Sequence, residues 1–303
     1  MIKVVDKIEE ANCITHSGTM HADEVFSTAF LDLYLENVKV FRTAKVEGYK
    51  IREDQLVYDI GRGKFDHHQQ DALRRDNNIP YCSFGLLWKE YGKEFLKKYD
   101  ILLIDKVFTG IDKDLVEGID ADDNGVFPKI EAPYRVKTIP NVIKIFNPSY
   151  DSGQIESEQF EKACKIARDI IEEEVYYMNG KVQAEEEIMK QLEGVGKDSH
   201  YLLLDKFLPY EETILQTPEA ENLYFVAYPS NRGGYAIKVV PKSLEDRIPR
   251  LPFPEEWAGL EGEELEEVSK ITGLSFCHSG RFIVTCKTLD AVYKVLEKIL
   301  VDC

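Results

Sequence analysis

Short apolar runs alternate with helical patterns through the first half of the chain, and few folds accommodate that order. Apolar strands are predicted at residues 13–15, 38–41 and 55–60. Apolar residues recur at helical spacing over 24–35, in a segment that Ser83 could cap, and over 107–119. Strands that alternate with helices favour a parallel sheet with helices packed on both faces.

The pattern changes where Pro140, Pro148 and Gly153 interrupt it. A long polar helix is predicted over 157–192, followed by alternating strands and helices. We therefore predict an α/β protein with an N-terminal domain over residues 1–148. A long connecting helix and a smaller α/β domain with a mixed sheet would occupy residues 149–303.

Charge and cysteine content limit the partners and the compartment. The formal net charge is −17 and no segment is strongly basic, so stable binding of long nucleic acid is not expected. The six cysteines include no Cys-x-x-Cys pair, which is typical of free thiols in a reducing compartment. The chain has neither a membrane-length apolar run nor the features of a secretory signal, so we expect a cytoplasmic protein.

The loop after the first predicted strand carries His16, His21 and Asp23. In a parallel sheet, binding residues cluster at the carboxyl ends of the strands, which is where this loop is predicted to lie. Imidazole and carboxylate ligands together suit manganese, iron, cobalt or zinc. The same loop is also compatible with a capping turn, in which Thr19 caps the helix and Asp23 favours its dipole.

Two further segments add side chains of the same type. Asp59 ends the third predicted strand, where a lone aspartate is often only a loop residue. Asp66, His67 and His68 are stronger evidence, because adjacent histidines beside an aspartate are uncommon outside tags and metal sites. One imidazole can bind a metal while its neighbour meets the substrate, and Asp66 can orient an imidazole. The alternative is an exposed polar loop.

A fourth segment contains Asp120, Asp122 and Asp123 and ends in an Asn-Gly pair. Such carboxylates repel one another unless they are solvated or bind cations, and a solvated acidic loop before a tight turn is the simpler interpretation. Taken together, the four segments supply enough histidine and aspartate for two divalent ions that share one carboxylate. Two such ions suit in-line displacement at phosphorus.

The order of these segments resembles the DHH phosphoesterase superfamily, which includes RecJ-type exonucleases, oligoribonuclease-phosphatases and family II inorganic pyrophosphatases. The first loop departs from that pattern, because His21 stands where an aspartate is common and the loop has one extra residue. This variant is similar to the MYG family (melanocyte proliferating gene proteins), whose eukaryotic members are described as 3′–5′ RNA exonucleases. Further matches follow in the family's order at 66–69, 119–125, 146–148, 206–209, 251–252, 254–260, 264–265 and 276–282.

The resemblance implies two metal ions held by overlapping sets of ligands. Manganese is the expected ion, with magnesium, cobalt, iron and zinc as alternatives. One ion would be held by His16, His21 and Asp59, and the other by Asp23, Asp59, His67 and an aspartate of the fourth segment.

The resemblance also assigns the remaining roles. Asp123 is the expected ligand of the fourth segment, because Asp-Asn-Gly is similar to the Asp-Thr-Gly of related phosphoesterases. Asp120 is the first alternative and Asp122 the second. His68 would face the phosphate, and it is grouped with Asp59 and Asp66 as the catalytic set.

The second half of DHH enzymes usually contributes a substrate clamp, and the candidate here is the run His278, Ser279, Gly280 and Arg281. Gly280 permits close backbone approach, and Arg281 can make a bidentate phosphate contact. The alternative is that Arg281 only starts a strand and pairs with an acid.

The hypothesis that follows is a metal-dependent phosphoesterase, a 3′–5′ exonuclease or oligonucleotidase that acts on short RNA. The alternatives are a small-molecule phosphatase or pyrophosphatase, and a metal-binding module without turnover. A homodimer is compatible with the sequence. Proteolysis has no support, because the chain has no His-Glu-x-x-His helix.

Overall fold

The computed structural model describes residues 2–196 and 199–301. Contacts divide the chain into two compact units, Met1–Gly180 and Lys181–Cys303, and the boundary falls within the helix Glu156–Glu193. The domain division predicted between residues 148 and 149 stays a prediction. The predicted fold class is confirmed, because a parallel sheet lies in the first unit and a mixed sheet in the second.

The first unit is built on a parallel sheet of four strands in the order β1-β3-β2-β4. The strands are β1 (Lys3–Val4), β2 (Cys13–His16), β3 (Lys39–Thr43) and β4 (Leu56–Val57). β2 lies between β3 and β4 and is parallel to both, so the carboxyl ends of these strands share one edge of the sheet.

The first two helices of the first unit pack against each other through a cluster of buried aromatic side chains. Phe30 of the almost wholly buried first helix packs edge-on against Trp88 (5.6 Å between ring centroids) and Phe95 (5.3 Å). Burial of each such side chain contributes about 1.5–3 kcal/mol. The helices that begin in this unit are α1 (Ala22–Leu35), α2 (Ser83–Leu96), α3 (Ile104–Ile111), α4 (Glu117–Asp123), α5 (Ile139–Lys144) and α6 (Glu156–Glu193), with a π-helical turn (Asp112–Val116) between α3 and α4.

The predicted acidic loop at residues 120–123 is wrong, because these residues form the last turn of α4. Aspartate has a low intrinsic helix propensity, but tertiary contacts override it here. Asn124 donates from Nδ2 to the Asp120 carbonyl (2.9 Å) and to the Pro80 carbonyl (3.2 Å), which closes the end of the helix.

The predicted caps of the first two helices are also wrong. Thr19 does not cap α1, since His21 is the residue that precedes this helix. Ser83 does not cap α2, since it is the first helical residue and Cys82 precedes it. At α2 the Asp23 carboxylate accepts the N–H groups of Ser83 and Phe84, and at α1 the Glu24 carboxylate accepts the N–H of His21.

The second unit is a mixed sheet in the order β5-β6-β7-β9-β8, in which only the β5–β6 pair is parallel. Its strands are β5 (Tyr201–Leu203), β6 (Phe225–Pro229), β7 (Tyr235–Val239), β8 (Leu274–Cys277) and β9 (Ile283–Cys286). Its helices are α7 (Glu211–Gln216), α8 (Gly262–Ser269) and α9 (Leu289–Leu300). Across the described residues, no helix is both long and apolar enough to cross a membrane.

Candidate metal centre

Four segments of the first unit bring acidic and imidazole side chains together near the carboxyl edge of the parallel sheet. The backbone N–H of Asp59, just after β4, donates to the carbonyl of residue 65 (3.0 Å), so the intervening loop folds back on itself. The side chains are His16 at the end of β2, His21 before α1, Asp23 in the first turn of α1, Asp59 after β4, His67 in the next loop and Asp123 at the end of α4.

Asp59 lies in the middle of this cluster, with one carboxylate oxygen toward each of two histidines. Its Oδ2 lies 3.1 Å from His16 Nε2, and its Oδ1 lies 3.3 Å from His67 Nε2. Its φ is +57°, a left-handed conformation that costs a non-glycine residue about 1–3 kcal/mol and persists where the surroundings fix it. This arrangement suits a carboxylate shared between two ions.

Asp23 is fully buried and is held by the first turn of α2. Its carboxylate accepts the N–H groups of Phe84 (2.6 Å) and Ser83 (2.9 Å), which have no partner within their own helix. The same carboxylate lies 3.6 Å from His67 Nε2, which in turn lies 3.1 Å from Asp123 Oδ2. Asp23, His67 and Asp123 therefore form one candidate ligand group.

Glu24 is a buried carboxylate in the first turn of α1 that sequence reasoning missed. Its Oε1 lies 3.5 Å from His16 Nε2, and its Oε2 accepts the N–H of His21 (2.9 Å). These three residues form a second candidate ligand group. Arg42 contacts Glu24 (3.4 Å) and donates to the His16 carbonyl (3.1 Å), which fixes the loop. A glutamate three residues after a helix N-cap was the available sequence signal.

The cluster fits divalent cations. Asp59 Oδ2 and His67 Nε2 are buried and have no hydrogen-bond partner among the described residues, although oppositely charged groups lie nearby. Burial would lower the pKa of His16 and of His67, but the surrounding carboxylates raise each pKa to about 11. Burial raises the pKa of Asp23 well above its usual value, and Asp59 and Asp123 raise it further. A cation would compensate these buried carboxylates, and nitrogen and oxygen ligands suit manganese, iron, cobalt or zinc.

His68 forms a third candidate ligand group with Asp59 and His67, and it is oriented by Asp66. Asp66 Oδ1 lies 2.7 Å from His68 Nδ1, and Asp66 Oδ2 accepts the N–H of Arg62 (2.5 Å). Burial would raise the pKa of Asp66, but its hydrogen bonds with His68 and Arg62 lower it, so Asp66 remains a carboxylate. The His68 side chain is 60% exposed, and this contact leaves its Nε2 as the atom that a substrate can reach.

Of the three acids in the fourth segment, the structure brings Asp123 into the cluster. Its Oδ2 lies 3.1 Å from His67 Nε2, and its Oδ1 lies 3.8 Å from His21 Nδ1. Asp122 belongs to none of the candidate ligand groups found among the described residues. The choice of Asp123 as a ligand stays a proposal, and these distances support it.

Asp120 instead belongs to a buried ion pair. Its carboxylate accepts the Nε–H of Arg75 (2.7 Å) and the backbone N–H of Cys82 (2.9 Å). Arg75 also forms two hydrogen bonds with Asp112, at 2.5 and 2.8 Å. Asp120 is thus occupied by protein partners at the place where α4 packs on α2.

Gly85→Ala is expected to destabilise the protein by about 1–3 kcal/mol, because overpacking a filled interior has that cost. A Cβ at this position would overlap the carboxylate of Asp120. Gly118→Ala is the matched control, since its Cβ would meet nothing within 4 Å and alanine favours a helix by about 0.5–1 kcal/mol. Urea unfolding of both variants measures the difference. Equal midpoints for Gly85→Ala and the wild type would show that Asp120 can move aside.

The predicted clamp forms the turn between β8 and β9 in the second unit. Arg281 has a φ of +56°, and its N–H donates to the His278 carbonyl (2.8 Å). Ser279 and Gly280 are exposed at the tip, and the Gly280 N–H donates to His278 Nδ1 (2.9 Å). Arg281 precedes β9 and donates to the Phe253 carbonyl (3.4 Å). The role of this turn as a clamp stays a prediction.

The amino-acid sequence matches one protein family over nearly its whole length. The sequence profile of the family described as "Uncharacterised protein family (UPF0160)", with the short name MYG1_exonuc, matches residues 12–300. A MYG1 protein of Chlamydia trachomatis is 30% identical over 302 residues, which cover 94% of this chain and 95% of the relative. The MYG1 exonuclease of Homo sapiens is 28% identical over 325 residues, which cover 94% and 85%. A MYG1 protein of Dictyostelium discoideum is 27% identical over 314 residues, which cover 94% and 95%. No solved structure matches the chain.

Proposed function

Because this chain belongs to the MYG1_exonuc family (UPF0160), we propose that it is a metal-dependent phosphoesterase that removes nucleotides from the 3′ end of short RNA. The observation that carries the proposal is the position of Asp59, whose two carboxylate oxygens face His16 and His67. The relatives from Homo sapiens, Rattus norvegicus and Mus musculus are named exonucleases, which supports the same class of reaction.

The ligands divide into two sets with Asp59 in common. Divalent ions bound there, with manganese proposed, would polarise a phosphoryl oxygen and lower the pKa of a water molecule. One set is His16, His21 and Asp59, with Glu24 beside it, and the other is Asp23, Asp59, His67 and Asp123.

The chain's own residues orient the substrate and balance its charge. Asp66 accepts a hydrogen bond from His68 Nδ1 and so directs Nε2 toward a phosphoryl oxygen. When protonated, His68 stabilises the charge that develops on that oxygen. The amides of the first turn of α2 hold Asp23 in place, so its position does not depend on the substrate.

The test is to incubate metal-stripped protein with manganese and a 5′-labelled short RNA. We expect a ladder that shortens from the 3′ end in the wild type and disappears in His67→Ala. His200→Ala is the matched control, because His200 lies in the second unit and hydrogen-bonds the Asn222 carbonyl. A folded, metal-loaded wild type that leaves RNA intact would remove the nuclease assignment. Hydrolysis of p-nitrophenyl phosphate or pyrophosphate by that protein would favour a small-molecule phosphatase.

The described cysteines are all free and buried, which supports the proposed reducing, cytoplasmic location.

A further inference from the structure

Residues 126–138, here called the strap, join α4 to α5 without regular secondary structure. Every residue from 126 to 137 is exposed. The strap contains three cations, Lys129, Arg135 and Lys137, against one acid, Glu131, in a chain whose net charge is −17. The average charge of the chain therefore conceals a local basic segment.

The side chains of the strap are available to a ligand. Within the part of the chain that the structure describes, Lys129, Arg135 and Lys137 form neither an ion pair nor a hydrogen bond through their side chains. Two aromatic side chains lie in the same segment, Phe127 at 67% exposure and Tyr134 at 73%. Single-stranded nucleic acid binds surfaces on which cations alternate with exposed aromatic rings, because its phosphates contact the cations and its bases stack on the rings.

The strap is fastened to α4 at its first end, and the chain just beyond α5 is fastened to the loop before α1; α4 and this loop both carry candidate ligands. At the first end, the N–H of Val126, three residues after Asp123, donates to the Ala121 carbonyl of α4 (2.8 Å). Beyond α5, the Asn147 side chain accepts the Met20 N–H (2.7 Å) and donates to the Met20 carbonyl (2.9 Å), directly before His21. Side chains from both ends also line one cavity of about 360 Å³, with Asp122 on its wall.

We propose that the strap is the surface along which the RNA substrate lies beside the metal centre. Phe127 and Tyr134 stack on bases, and Lys129, Arg135 and Lys137 contact phosphates. Because these contacts do not read base edges, binding is independent of sequence but depends on substrate length. This inference rests on the proposed function, and it names the surface that an oligonucleotide uses and a small phosphoester does not.

The experiment measures two quantities for each variant. Fluorescence anisotropy at several salt concentrations gives the affinity for a phosphorothioate-linked RNA octamer, and a cleavage assay gives the rate at which the ordinary RNA is shortened. Phe127→Ala and Tyr134→Ala are each expected to weaken binding by at least about fivefold, from the typical strength of base stacking on an aromatic ring. The triple variant Lys129→Gln, Arg135→Gln, Lys137→Gln is expected to lower the slope of log affinity against log salt by about 0.7 for each phosphate that the protein no longer neutralises. These exposed substitutions leave the core intact, and circular dichroism checks the fold.

Two matched controls remove the same chemistry elsewhere. Lys3→Gln with Lys39→Gln removes two exposed cations from the starts of β1 and β3, at the opposite edge of the sheet from His16. Tyr177→Ala removes an exposed ring, at 64% exposure, from α6. Both controls are expected to bind and shorten RNA as the wild type does.

The outcomes separate this inference from the proposed function. A wild type that does not shorten RNA contradicts the proposed function, while the salt-dependent binding still decides the role of the strap. A wild type that shortens RNA, together with strap variants that bind it as tightly and with the same salt slope, overturns the inference. Strap variants that keep RNA binding but turn a dimer into a monomer in sedimentation also overturn it, and would assign the strap to contact with a second copy.

Discussion

Asp59→Asn is expected to lower RNA hydrolysis by about 10³-fold or more, because metal catalysis contributes several kcal/mol and each 1.4 kcal/mol is a factor of about ten in rate. Asparagine keeps the shape of the side chain but removes the charge that would serve both ions. Bound metal is expected to fall from two ions per chain to at most one. The affinity for the remaining ion should fall by more than the roughly 10–100-fold that loss of an outer partner of a ligand costs.

Metal content by mass spectrometry and single-turnover cleavage of labelled RNA give these two quantities independently. Asp54→Asn is the matched control, since Asp54 lies in the loop before β4, is exposed, and pairs with Arg52, away from the metal ligands. It should keep both ions and the full rate. If Asp59→Asn retained two ions and the wild-type rate, the shared-ligand arrangement would be wrong. If the variant lost the cleavage rate but retained two ions, Asp59 would be needed for the reaction and not for binding the metal.

The architecture was accessible from sequence because its determinants are local. Apolar periodicity predicts a helix over 157–192, and the structure has one at Glu156–Glu193. The strand at 13–15 appears as Cys13–His16, which places His16 at the sheet edge. Parallel pairing then brings together loops that are distant along the chain, so the residues of the candidate site could be predicted as a group.

The support for the site was not accessible, because it depends on long-range partners. The sequence around Asp23 does not reveal that its carboxylate binds the first turn of α2, sixty residues away. The sequence does not single out Glu24, because the resemblance assigns the ligand role in this turn to its neighbour Asp23. The sequence likewise does not distinguish the three aspartates of α4, because the partner of Asp120 is Arg75, which belongs to no motif.

The buried Arg75–Asp120 ion pair gives Asp120 a structural role, which substitutions can distinguish from the role of a metal ligand. Arg75→Met is expected to destabilise the protein by about 3–5 kcal/mol, the usual cost of leaving one member of a buried pair unpaired. Asp120→Asn should cost less, about 1–3 kcal/mol, because Arg75 keeps its two bonds to Asp112. Adding Asp120→Asn to Arg75→Met should recover part of the loss, since it removes the unpaired charge.

The effect of Arg75→Met should also depend on pH. Burial raises the pKa of Asp120 to about 6, even though Arg75 lowers it. A carboxyl whose folded pKa is raised contributes stability that is present at low pH and is lost as the pH rises through that pKa. Without Arg75 the pKa of Asp120 in the folded protein rises further. The free energy of unfolding of Arg75→Met should therefore be only slightly below that of the wild type at pH 5, and further below it at pH 8. Urea unfolding of the metal-free proteins at both pH values measures it.

Metal content distinguishes Asp120 from Asp123, because the two variants are expected to behave in opposite ways. Asp120→Asn should lose stability and keep both ions, while Asp123→Asn should lose an ion and RNA hydrolysis with little change in the unfolding midpoint of the metal-free protein. The physical reason is that Asp120 is fully buried and hydrogen-bonded to Arg75 and Cys82, whereas the Asp123 carboxylate lies 3.1 Å from His67 Nε2. The reverse pattern would make Asp120 the ligand and would require Arg75 to release it when metal binds.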